Sequence, residues 1–139
     1  MTRERAIWDL AAERLEAGHP FTYTARGQSM RPTIPDGSVV TVAPLQEKIR
    51  PGVVVLARRG DLVVLHRAIR QEGECWILKG DLNDATQTFH ADEIFGKLVE
   101  ITHQEKTRRY DTLRARLSDG FWLQISRRSP LLRRITHFF

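Results

Sequence analysis

The stretch Gly52-Val53-Val54-Val55-Leu56-Ala57, reversed at Arg58-Arg59-Gly60-Asp61 into Leu62-Val63-Val64-Leu65-His66-Arg67-Ala68-Ile69, decides the fold. β-Branched and aliphatic side chains run together on each side of a Gly-Asp turn, which is the signal of a hairpin between buried strands. Ile49-Arg50-Pro51-Gly52 introduces the first arm, and Glu72-Gly73-Glu74 reverses the second into Cys75-Trp76-Ile77-Leu78. Working outward, residues 38–42 read as another strand, and Phe21-Thr22-Tyr23-Thr24 alternates aromatic with hydroxyl side chains as a short half-buried strand does. Lys79-Gly80-Asp81-Leu82-Asn83-Asp84 is a turn by composition, and residues 93–101 close the sheet as the last strand. The chain therefore reads as mainly β: a compact antiparallel β fold with helices only at its ends.

Residues 3–17 place Ile7, Leu10, Ala11 and Leu15 near helical spacing with Trp8 alongside, and put acids and bases on the remaining positions. That pattern predicts an amphipathic helix, stopped by Gly18 and Pro20 and packed on one face of the sheet. With 139 residues, 41% hydrophobic and 28% charged, the chain suits one core. Residues 1–106 form the β domain with its leading helix, and residues 107–139 a basic, helical extension of it. Arg108, Arg109, Arg114, Arg116, Arg127, Arg128, Arg133 and Arg134 stand against Asp111 and Asp119, a balance of +6; the total of +5 leaves −1 for residues 1–106. No window approaches the roughly 18–20 apolar residues of a membrane span, and Met1-Thr2-Arg3-Glu4-Arg5 does not open a signal core. The one cysteine, Cys75, has no internal disulfide partner, so a cytoplasmic location is expected.

Chemistry enters at Gly27-Gln28-Ser29-Met30-Arg31-Pro32-Thr33-Ile34-Pro35-Asp36-Gly37. A serine held on a proline-stiffened bend can present its hydroxyl, but it attacks slowly until a base takes its proton. Among the five histidines, His66 alone lies inside a strongly apolar strand, where a polar ring is costly without a partner. Alternation puts Val64 and His66 on one face and Leu65 and Arg67 on the other. Taken alone, such a histidine also fits a purely structural role.

The joint pattern goes further. The Gly27-x-Ser29-Met30-x-Pro32 bend, the strand ending in His66-Arg67, the Lys79-Gly80-Asp81-x-Asn83 turn and Ile94-Phe95-Gly96-Lys97 resemble, in order and spacing, the signal peptidase I and LexA-type serine peptidase superfamily across residues 21–101. The resemblance implies Ser29 as nucleophile and, because histidine stands where most members have lysine, His66 as general base of the histidine-type subgroup. It implies a serine endopeptidase that acts on a peptide or protein substrate through an acyl-enzyme, with small residues at the cleavage point and no cofactor or metal. Histidine-type members orient the imidazole with an aspartate a few residues past the Lys-Gly-Asp turn. Here that stretch reads Ala85-Thr86-Gln87-Thr88, which leaves Asp84 as the preferred third member and Asp81 as a turn residue. Gly27 has no hydroxyl to offer an oxyanion, so backbone N–H groups, including that of Ser29, are expected to bind it, with Gly27 and Met30 shaping the turn.

From the sequence, neither the transmembrane anchor of signal peptidases nor the helix-turn-helix domain of LexA-type repressors is expected. Ala17-Gly18 resembles the bond that LexA-type proteins cut in themselves, although a helix stop explains it. Two uses are open for the arginine-rich tail: packing on the sheet, which the interleaving of Leu131, Leu132 and Ile135 with arginines favours, or peripheral contact with an anionic membrane at its inner face. No nucleic-acid reading motif accompanies the charge. A non-catalytic peptide-binding module on the same fold is the alternative function, and oligomeric state is not legible.

Overall fold

The computed structural model describes residues 3–110. One helix, α1 (Arg3–Glu16), precedes eight strands: β1 (Phe21–Thr24), β2 (Val39–Ala43), β3 (Val54–Arg59), β4 (Leu62–Glu72), β5 (Cys75–Lys79), β6 (Gln87–His90), β7 (Ile94–His103) and β8 (Lys106–Arg109). A 3-10 turn, Ala91–Glu93, joins β6 to β7. The fold is mainly β, as the hairpin spacing predicts. All strands pair antiparallel in one curled sheet of order β1-β2-β7-β3-β4-β5-β6, with β8 added on β7. Register shifts at Thr41/Val42, Leu56/Ala57 and Ala68/Arg70 interrupt the ladders, and such bulges bend strands and increase their twist.

Three expectations are corrected. Residues 93–101 do not end the sheet: β7 lies between β2 and β3, and β8 follows it, crossing the boundary drawn at residue 106. Tyr110, inside the extension of residues 107–139 expected to be helical, is a buried core residue whose N–H donates to the Val99 carbonyl. In α1 only Ala11 and Leu15 are buried, while Ile7 and Leu10 are exposed. The helix lies on the sheet through one narrow stripe. The expected tail helix over residues 111–139 falls outside the described residues.

Three apolar clusters fill the fold. Val53, Val55, Ala57, Val64, Ala68, Trp76, Leu78, Phe89 and Ile94 pack on the face of β4 that carries His66. Met30, Ile34, Val40, Val54, Leu98, Ile101 and Tyr110 lie beneath the Ser29 bend. Leu15, Val42 and Leu56 anchor the helix, with Trp8, Phe21 and Tyr23 packed against them. Each fully buried aliphatic side chain of this kind contributes about 1.5–3 kcal/mol, so the bend and the strand behind it rest on well-packed ground. The helix ends in a Schellman arrangement: Gly18, at φ 89, donates to Leu15 O and His19 to Arg14 O.

Candidate functional site

The bend before β2 is closed at its neck and filled from below. Gly37 N donates to Ala25 O at 2.8 Å, and Gly27 N donates to Asp36 Oδ1 at 2.8 Å. Gly27 and Gly37 both lie at positive φ, which side-chain-bearing residues rarely adopt. Inside the loop Ile34 N donates to Met30 O, and both side chains are buried. These anchors point Met30 and Ile34 inward and leave Ser29 half-buried at the surface of a cleft.

The Lys79–Asp84 turn backs the serine. Leu82 N donates to Ser29 O at 2.9 Å, and a Cβ added to Gly80 would stand 2.7 Å from Ser29 O and 2.9 Å from Ser29 Cβ. Only glycine allows this approach. Asp81 is buried and committed: its carboxylate accepts two 2.8 Å bonds from the Arg67 guanidinium and one of 2.9 Å from Thr33 Oγ1. Arg67, fully buried, also donates to Gly52 O at 2.7 Å. One network thus ties the bend, the turn and β4 together. Both ionic partners are desolvated, and such a pair stays favourable only with this degree of hydrogen bonding.

His66 projects from β4 opposite Val55 of β3. Its Nε2 lies 3.2 Å from Ser29 Oγ, and the ring is 7% exposed. Burial, which disfavours the charged form, pushes the imidazole pKa below its ordinary 6.5. The Asp81 carboxylate and the Gln87 side chain act in the opposite direction, and the Lys79 ammonium in the same one. Burial prevails, so the ring is neutral at neutral pH, with its unprotonated nitrogen free to accept a proton.

Expected site residues divide in two. Ser29 and His66 come together as the sequence reading requires, with Met30 beneath them and Asp81 in the turn. Asp84 does not join them: it is exposed, and the other ring nitrogen, His66 Nδ1, is buried without a hydrogen-bond partner. The side chain that neighbours the imidazole is Gln87, whose Oε1 is likewise buried and without a partner. A search for carboxylates passes over Gln87 because it carries no charge. A buried polar atom left unsatisfied costs about 1–3 kcal/mol, which makes this pair of orphans conspicuous.

A cleft of about 300 Å³ runs from the Ser29–His66 pair between β1 and β4, with Tyr23, Ala25, Met30, Ile34 and Leu65 along its walls and Trp8 and Glu4 of α1 at one side. Among the described residues β1 pairs with β2 alone, so its other edge is open. Ala17 and Gly18 are exposed in the helix cap and do not line the cleft, which fits their role as a helix stop.

The family model described as Peptidase S24-like matches residues 4–101. No curated protein matches the chain at a significant level.

Proposed function

Because the chain belongs to the Peptidase S24-like family, within the LexA and signal peptidase type of serine peptidases, we propose that it is a serine endopeptidase using Ser29 as nucleophile and His66 as general base. The observation that carries this reading is the 3.2 Å approach of His66 Nε2 to Ser29 Oγ at the floor of an open cleft. As Ser29 Oγ attacks a peptide carbonyl, its proton passes to Nε2; the ring then gives that proton to the leaving amine. A water enters, loses a proton to Nε2 and attacks the acyl-enzyme, which releases the acid and restores Ser29. Positioned base catalysis of this kind supplies roughly 10²–10⁴-fold in rate. The oxyanion falls to the Ser29 N–H, since the Gly27 N–H is held by Asp36.

The substrate is an extended peptide segment. It docks as an added strand along the open edge of β1, which borders the cleft, and places a small residue against Met30, Ile34 and Leu65. A precursor peptide or a protein terminus offers such a segment. The test is labelling by a fluorophosphonate: the wild type forms an adduct on Ser29, Ser29→Ala forms none, and His66→Ala reacts at least about 10²-fold more slowly. A wild type that binds peptides yet never forms the adduct is a binding module instead.

A further inference from the structure

Among the described residues, two buried side-chain polar atoms lack a hydrogen-bond partner, His66 Nδ1 and Gln87 Oε1. Strand register puts both side chains on one face of the sheet, and the Gln87 side chain raises the imidazole pKa against the lowering by burial. The pairing of strands explains how they meet. Gln87 opens β6 and stands opposite Leu78 of β5, and β5 pairs in turn with β4. Leu78 and Phe89 pack in the same cluster as Val64 and Ala68, which flank His66 on its own face of β4. Gln87 alternates with Phe89 on that face, so its amide extends under the sheet toward the ring. Neither orphan is bonded to a carboxylate: Asp84, the third member expected there, is exposed, and the turn residue Asp81 is held by Arg67 and Thr33.

One of these atoms is an oxygen that only accepts, and the other is a ring nitrogen that donates when it carries the proton. A hydrogen bond between them, which the structure leaves unmade, is possible in one tautomer alone. We infer that Gln87 positions His66, its side-chain oxygen accepting the Nδ1–H so that the Nε2 lone pair faces the Ser29 hydroxyl. This deepens the peptidase reading and rests on it. During acylation the Ser29 proton moves to Nε2 while the Nδ1 proton stays on the ring, still bonded to the amide; when Nε2 gives its proton to the leaving amine, the ring returns to the starting tautomer. Gln87 neither gains nor loses a proton.

Using an amide in place of a carboxylate has a separate consequence. Orientation is kept, but no full negative charge sits against the imidazolium. The charged groups around the ring are then the Asp81 carboxylate, neutralised by Arg67, and the Lys79 ammonium, which opposes ring protonation. His66 therefore stays neutral to a lower pH than an ordinary histidine. Gln87 therefore trades strength of the base for a wider acidic range.

The experiment is ¹⁵N NMR of the His66 ring, with the rate of fluorophosphonate labelling followed against pH, in wild type, Gln87→Leu and Gln87→Glu. In the wild type the neutral ring is protonated on Nδ1. Gln87→Leu moves the proton toward Nε2 and slows labelling by about tenfold or more. Gln87→Glu keeps the Nδ1 proton and shifts the acid limb of the rate upward by about one pH unit, because a nearby carboxylate favours the imidazolium. The inference is overturned by a wild-type ring protonated on Nε2, or by an acid limb unmoved in Gln87→Glu, a variant that decides the matter even if Gln87→Leu does not fold. Absence of labelling in every variant refutes the peptidase reading, while the ring tautomer still decides what Gln87 does.

Discussion

The two walls of the cleft are built in opposite ways. On the chemical side, Ser29 is held by the Leu82 N–H, pressed by Gly80 and supported by a buried network of Thr33, Asp81 and Arg67. On the helix side, α1 rests on Ala11 and Leu15 and reaches the hairpin of β3 and β4 through the exposed ion pair Arg5–Asp61 and the half-buried pair Asp9–Arg58. The contrast teaches where precision is needed. A reacting hydroxyl and its base tolerate little displacement, whereas a wall that only guides a peptide can yield.

Four substitutions can break or sharpen that contrast. The largest effect belongs to Asp81→Ala, which leaves the Arg67 guanidinium buried without its carboxylate; urea unfolding should show a loss of about 3–5 kcal/mol. Gly80→Ala comes next, at about 1–3 kcal/mol, because the new methyl group meets backbone and cannot be accommodated by a rotamer change. Its greater cost is in rate: a shift of Ser29 by a fraction of an ångström should slow fluorophosphonate labelling by roughly 10²-fold. Trp8→Ala removes the edge-on contact with Tyr23, at 4.9 Å between centroids, and should cost about 1 kcal/mol. It should raise KM for a peptide while leaving labelling by a small phosphonate unchanged. Asp61→Ala is the smallest, below about 1 kcal/mol, since its pair with Arg5 is largely solvated. A loss in Trp8→Ala equal to that in Asp81→Ala would erase the distinction between the walls.

The same contrast marks what the sequence disclosed. Strands β1 to β5 and β7 were legible because each carries an apolar run or a clear alternation, and the turns between them carry Gly, Asp or Pro. The other two were not. Gln87-Thr88-Phe89-His90 has one apolar side chain, and Lys106-Thr107-Arg108-Arg109 has none, so both are strands only because β5 and β7 offer them an edge. Propensity cannot report a partner's edge. Ile7 and Leu10 misled in the reverse direction, since helical spacing says where a stripe lies and not how much of it is covered.

In the candidate site the paired residues, Ser29 and His66, were legible from residue types at familiar spacing. The remainder depended on three-dimensional neighbours. Asp81 read as a turn former and proves to be the buried partner of Arg67, an arginine whose position on the far face of the His66 strand gave no hint of an ion pair. Asp84 drew attention by its charge, while Gln87 is brought to the sheet face that carries His66 by cross-strand register. Arg108, beyond the region matched by the family, donates to Thr33 O at 3.0 Å and so touches the serine bend from β8.

The place of β7 in the sheet bears on how this molecule comes into being. Strands β1 and β2 carry the serine bend, strands β3 to β5 carry the histidine, and β2 does not pair with β3; β7 pairs with both. A chain emerging from a ribosome makes Ser29 early and His66 soon after, yet the ladder that joins their two halves of the sheet waits for residues 94–103. Until those residues are available only side-chain and turn contacts, such as the Thr33–Asp81–Arg67 network, join the two halves, and the long-range strand pairing that unites them is the slow kind. The sheet that frames Ser29 and His66 is thus complete only once residues 94–103 have joined it.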